Sequence, residues 1–270
     1  MKNARLVIIL GVFILITTII VLCSTMFTLN TVELSWLSST KVLSQQTEQS
    51  IIDSAEFDKG ESVFLLNKEK YKNNLETKNP YLKVVSLEIK FPNKIQVKLA
   101  EREELYALKV VNENSLSGYS YVYLDYELKV LKITDSQVVA NQQNPAVLTL
   151  QNLNYTVNDF SCGKFANLPV NHMLTSVGDV LSSAGYTNVL TKALIKTVDL
   201  KFDISSTINI QTTYGLNLKI VSAETNTNQK ILKALSVYEY YHNNYPEINA
   251  GDITVFEQNG EIVATGPNVN

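Results

Sequence analysis

The sequence predicts an α+β protein: a single N-terminal transmembrane helix, a domain of two helices on a three-stranded sheet, and a mainly β C-terminal domain with two helices. Three observations carry that expectation. Residues 6–27 form an uncharged apolar run, "SLEIKFPNKIQVKLAER" at 86–102 alternates about a turn, and Asn259-Gly260 separates two further alternating runs near the C-terminus. The 270 residues are 45% hydrophobic and 18% charged, enough for one large or two small domains beyond the first run.

The run comes first. "LVIILGVFILITTIIVLCSTMF" has no charge over 22 positions, and a helix of that length measures about 33 Å, enough for the hydrocarbon layer. It is too long for a cleaved secretory signal and ends without an Ala-x-Ala pattern. Leu22 before Cys23 argues against a lipoprotein signal. Lys2 and Arg5 precede the run and no basic residue follows until Lys41, so the N-terminus is expected in the cytoplasm and the remainder outside. Beyond Arg5 there are 21 basic and 26 acidic residues, a net charge of −5. That mildly acidic outer part has no electrostatic footprint for nucleic acid or anionic headgroups.

The expected domains are a tail at 1–5, the span at 6–27, the helix-on-sheet unit at 29–102, the β domain at 103–265 and a short tail at 266–270. "TVELSW" (31–36) reads as a strand, and residues 42–55 as a helix with Val42, Leu43, Ile51 and Ile52 on one side. Asp58-Lys59-Gly60 makes a turn, and Asn67 caps a helix over 68–77 that Asn79-Pro80 stops. In the hairpin, Leu87, Ile89 and Phe91 share one face, as do Ile95, Val97 and Leu99, with Pro92-Asn93-Lys94 at the reversal. Two helices would cover that face, leaving the polar one to water.

Further strands are expected at 105–111 and within 121–133, reversing at Asp125-Tyr126-Glu127. After the polar stretch 134–145 come "AVLTL", a helix over 170–184 with Met173, Leu174, Val177 and Leu181 on one face, and a meander at 193–202, 208–213 and 216–221. A helix at 227–243 repeats apolar positions Ile231, Leu235 and Tyr238 before Pro246. Asn259-Gly260, the strongest short hairpin signal, then pairs 252–257 with 261–265 and leaves the last strand at a sheet edge.

Candidates for chemistry are few. His172 and His242 have no second ligand at metal spacing, and Cys162 in "FSCGKF" is the lone thiol outside the span, so no disulfide forms within the outer part. The acids Glu101, Glu103 and Glu104 cluster at a strand end as a solvated patch, and the tyrosines at 121/123 and 238/240/241 read as core and rim. No nucleophile elbow, P-loop or dinucleotide fingerprint is present. A non-enzymatic protein without metal, cofactor or small-molecule substrate is expected, acting through an open sheet edge whose unpaired backbone groups a guest strand can satisfy.

The order of tail, span, and a unit ending in "NPYLKVVSLEIKFPNKIQVKLAERE", followed by "LYAL" and "YVYLDYELKVL", resembles the FtsQ/DivIB family of bacterial cell-division membrane proteins. The resemblance is specific over about 60–131. It implies that the first outer unit is a POTRA domain, with Phe91, Pro92, Glu101 and Arg102 as its signature and Asp125 as the aspartate before the next reversal. Phe91 stands where the family commonly has tryptophan, and "ELSWLSSTK" lacks the family's glycine. The resemblance implies a bitopic scaffold at the division septum that helps control septal peptidoglycan synthesis. Its implied partners are FtsB/DivIC-like and FtsL-like bitopic proteins, met at a β edge that maps onto Val255, Phe256, Ile262, Val263 and Ala264. The alternatives from the residues alone are a membrane-anchored adhesive or sensory domain and, with less support, a cell-wall hydrolase.

Overall fold

The computed structural model describes residues 2–37, 47–136, 145–151, 153–169 and 171–267, and within the first helix the side chains of residues 10–21 and 26. Its contacts divide the chain into two compact units, Met1–Glu101 and Arg102–Asn270.

The first unit begins with α1 (Lys2–Met26). Leu10, Phe13, Ile14, Leu15 and Ile20 are each more than half exposed. The stretch with described side chains measures roughly 18 Å, and among the described residues no helix is long and apolar enough to cross a membrane. There follow β1 (Thr31–Trp36), α2 (Glu48–Ser54), α3 (Lys68–Lys78), β2 (Leu82–Lys90) and β3 (Lys94–Glu101). The start of the helix expected at 42–55 lies outside the described residues; the observed helix starts after Thr47, whose hydroxyl accepts from the Ser50 N–H. Asn67 caps α3 through the Lys70 N–H, as its residue type foretells.

The sheet order is β1-β3-β2, with β1 parallel to β3 and β2 antiparallel to it. Ile51 and Ala55 on one side and Leu75 on the other meet Leu82, Val84, Ile95, Val97 and Leu99 in one buried cluster. A register shift between Val84 and Ser86 interrupts the alternation of β2. There the buried carboxylate of Glu76 accepts the Val84 N–H at 2.9 Å, satisfying a backbone donor of the edge strand.

The second unit contains β4 (Tyr106–Val111), β5 (Tyr119–Leu124), β6 (Val130–Thr134), β7 (Ala146–Gln151), α4 (Asn171–Ser183), α5 (Asn188–Leu194), β8 (Ile195–Lys201), β9 (Thr207–Thr212), β10 (Leu216–Val221), α6 (Thr227–Asn244), β11 (Gly251–Gln258) and β12 (Glu261–Thr265). Among the described residues nine strands form one sheet in the order β12-β11-β10-β9-β8-β7-β4-β5-β6. It is mixed: β4 with β7, β7 with β8, and β10 with β11 run parallel, because helical crossovers join the later pairs.

Two expectations change here. The strand expected from Ala193 starts at Ile195, since α5 occupies residues 188–194, capped by Thr187 accepting from the Leu190 N–H. The unit therefore carries three α-helices among its described residues where two were expected. The apolar stripes of α4 and α6 do as their spacing foretells: Met173, Leu174, Val177 and Leu181, with Ile231, Leu235 and Tyr238, are buried in the cluster that covers one sheet face. The other face, along β8 to β11, presents Thr197, Asp199, Asn209, Gln211, Lys219 and Asp252.

Two buried polar groups organise the second unit. Arg102, beyond β3 in the chain, pairs with Asp125 and, at 2.6 Å, with Glu127, while its guanidinium lies 6.0 Å from the Phe165 ring centre. Lys230 in α6 is fully buried and spends its ammonium protons on the Val221 carbonyl (3.3 Å), the Ser222 carbonyl (2.7 Å) and the Thr225 hydroxyl (3.2 Å), tying the helix to the end of β10.

Candidate partner-binding edge

The sheet ends at β12, and its geometry is set by the turn before it. Asn259 and Gly260 have φ of 55° and 82°, the paired positive values of a two-residue I′ reversal, which these residue types adopt with little strain. The turn fixes Gln258 opposite Glu261, and the register then runs Glu257 to Ile262, Phe256 to Val263, Val255 to Ala264 and Thr254 to Thr265.

In an antiparallel pair, alternate residue pairs exchange both backbone bonds. With a two-residue turn that set begins at Gln258 and Glu261 and recurs at Phe256 with Val263 and Thr254 with Thr265. The N–H and C=O groups of Ile262 and Ala264 consequently point away from β11. Among the described residues no backbone hydrogen bond from a loop or turn reaches that outer side.

The opposite end of the sheet differs. Beside β6, the Val130 N–H donates to the Lys164 carbonyl at 2.9 Å and the Gly163 N–H to the Val130 carbonyl at 2.8 Å, so a loop already covers the start of that edge. Proteins blunt sheet edges in this way to prevent stray pairing. β12 carries no such cover among the described residues.

The side chains divide by the pleat. Ile262 and Ala264 pack against the main core and Val255 is fully buried within it. Phe256 and Val263, both half-buried, occupy the face away from α6. A guest strand would read Val263 on one face and Ile262 and Ala264 on the other.

The strand is pinned at both ends. Beyond Thr265, Gly266 passes so close to Tyr241 that a Cβ there would lie 2.5 Å from the ring, and the Tyr241 hydroxyl donates to the Pro267 carbonyl at 2.9 Å. This clamp left no sequence signal beyond the glycine itself.

The expected POTRA signature residues divide between the two units. Phe91 and Pro92 are exposed at the hairpin tip, Glu101 pairs with Leu82 in the sheet, and the Arg102 side chain lies in the second unit. Phe91 was expected with Leu87 and Ile89 on the covered face; those two pack against the core, whereas Phe91 is 63% exposed. The last ring of a strand lies beyond the reach of the helices that cover its middle.

Asp125 explains its own position in the sequence. One carboxylate oxygen accepts the N–H groups of Glu127 (2.9 Å) and Lys129 (2.7 Å), closing the reversal from β5 to β6, and the other meets Arg102. Burial pushes its pKa up from the ordinary value of 3.8, outweighing the opposing pull of Arg102 and the Lys129 N–H.

The residues weighed for chemistry are dispersed. His172 and Cys162 are exposed, and His242 lies against Tyr214 and Tyr238, with ring centres 4.5 and 5.7 Å away. Among the described residues no three His, Cys, Asp or Glu side chains converge as metal ligands do. Tyr238 is buried and Tyr240 is 53% exposed, a core and rim pair.

Comparison with known proteins finds a family model and a relative that each match part of the chain. The family described as POTRA domain, FtsQ-type, matches residues 40–102. Cell division protein DivIB of Clostridium acetobutylicum is 34% identical over 83 residues, which cover 31% of this chain and 30% of that relative. The match thus spans under a third of the relative's length. The chain therefore resembles the FtsQ/DivIB family, and a match to the FtsQ-type POTRA domain over residues 40–102 carries the resemblance.

Proposed function

We propose that this chain is a bitopic membrane scaffold of the bacterial cell-division machinery. Residues 6–27 anchor it with the N-terminus in the cytoplasm, and the two outer units bind other division proteins to help control septal peptidoglycan synthesis. The observation that carries this reading is the FtsQ-type POTRA match over residues 40–102, together with a relative whose name is cell division protein DivIB.

The β12 edge supplies the means. A partner's extended segment would add as a tenth strand, its backbone satisfying the outward groups of Ile262 and Ala264 and its side chains choosing by fit to Val263 and Phe256. Bitopic proteins of the FtsB/DivIC and FtsL kinds, held in the same membrane, are the proposed guests. Such binding makes and breaks no covalent bond, so the scaffold needs no nucleophile, metal or cofactor. The exposed apolar row of α1, including Leu10, Phe13 and Ile14, fits a lipid surrounding.

The test is a fluorescent fusion imaged in dividing cells, joined to capture of the bitopic partners by the full chain. The expected result is a midcell band and partner recovery. A uniform peripheral signal, with no partner recovered, overturns the reading.

A further inference from the structure

Three phenylalanines from three separate segments of the first unit converge. Phe27 directly follows α1, Phe64 lies before α3, and Phe91 is at the tip between β2 and β3. Their ring centres are 5.3 Å (Phe27 to Phe64), 5.6 Å (Phe64 to Phe91) and 6.3 Å (Phe27 to Phe91) apart, the spacing of rings in contact. Yet Phe64 and Phe91 are each 63% exposed, and Leu65, next to Phe64 in the chain, is 77% exposed. A cluster assembled from distant segments and then left facing outward marks a surface meant for something apolar.

We infer that this aromatic cluster seats the first unit in the interfacial layer of the lipid bilayer. The inference rests on the reading that residues 6–27 span the membrane.

Phe27 is the last residue of the uncharged run, so its ring lies where the apolar layer gives way to headgroups. The chain leaving α1 has no slack there. The Val63 N–H donates to the Phe27 carbonyl at 2.8 Å, the Leu29 N–H to the Glu61 carbonyl at 2.8 Å, and the Gly60 N–H to the Leu29 carbonyl at 3.1 Å. Leu29 is itself buried in the unit's core. Three backbone bonds within three residues of the helix end bind residues 60–63 to it, and Phe64 and Phe91 are held at the level of Phe27 by ring contact.

The interfacial zone is roughly 5–8 Å deep on each side of the hydrocarbon, comparable to the spacing of these rings. Phenylalanine and leucine presented on an exposed face bury about 5–10 Å into the headgroup and acyl boundary. With a net charge of −5 beyond Arg5, the outer part gains nothing from anionic headgroups, so apolar insertion supplies the attraction and salt leaves it unchanged.

The experiment uses the full chain reconstituted in phosphatidylcholine vesicles containing lipids brominated either near the headgroup or near the end of the acyl chain. Phe64→Trp, Phe91→Trp and Phe13→Trp are measured as differences from the parent, which retains Trp36. For Phe64→Trp and Phe91→Trp the expected result is blue-shifted emission, with larger loss from the shallow bromines than from the deep ones, unchanged by salt. Quenching at Phe13→Trp without quenching at either outer site overturns the inference and leaves the membrane anchor standing. Absence of quenching at Phe13→Trp as well overturns both.

Discussion

The guanidinium of Arg102 closes on the carboxylate of Asp125, a partner 23 residues further along the chain, and both side chains are buried. Removing one member strands the other without water. Arg102→Ala is expected to destabilise the second unit by about 3–5 kcal/mol, while Asp125→Asn costs less because its amide oxygen still accepts the Glu127 and Lys129 N–H groups. Urea unfolding of the two variants measures the difference, and equal losses would refute the asymmetry.

The same aspartate sets a pH signature. Its folded-state pKa is raised above 3.8 by burial, so the folded chain holds the proton more tightly than the unfolded one. That contribution to stability is complete below about pH 3.8 and is lost as pH rises through the raised value. The stability of the parent relative to Asp125→Asn should therefore fall with rising pH across this window. A difference that rises with pH would contradict the assignment.

Glu88 runs the opposite way. On the polar face of β2 it accepts from Lys90 at 2.9 Å, pairs with Lys98 at 3.0 Å and accepts from Ser86 at 3.2 Å; those contacts pull its pKa from 4.5 down to about 2. Its contribution is complete above pH 4.5 and is lost as pH falls towards about 2. Carbon NMR of the Glu88 carboxyl should show titration near the lower value, and Glu88→Gln should flatten the acid side of the stability profile. Titration near 4.5 would show that the lysines do not hold it.

Register distinguishes neighbouring positions on β12. Ala264→Pro removes an N–H directed away from β11, so it should abolish partner capture and leave unfolding of the second unit little changed, as proline is tolerated on the open side of an edge strand. Val263→Pro removes an N–H committed to Phe256 and should weaken the hairpin itself. Capture and thermal unfolding measured together separate the two, and unchanged capture by Ala264→Pro would count against strand addition at this edge.

Lys230→Met is expected to leave the Val221 and Ser222 carbonyls without their buried donor. A cost of about 1–3 kcal/mol follows for a group left unsatisfied in the interior. Guanidinium unfolding checks it, and a neutral effect would show that water replaces the ammonium.

Much of the architecture was local and therefore legible. Alternation announced β2 and β3, the i to i+4 stripes announced α4 and α6, and Asn259-Gly260 announced the last hairpin, because each depends on neighbours within a few residues. Helix α5 is poorly announced because its seven residues run into a β-rich continuation, and Thr187 is its clear start signal. The two-residue period puts Phe91 on the covered face, and that period holds only while helices lie over the strand.

Local residue order was enough for the uncharged run, the turns, the faces of α4 and α6 and the place of the last hairpin, all set by backbone preference and short-range periodicity. Long-range pairing alone settled that a loop covers the start of the β6 edge while β12 stays bare, that Arg102 meets Asp125, and that three distant phenylalanines converge. Those outcomes depend on which strands pair across long stretches of chain, and no local preference encodes that choice.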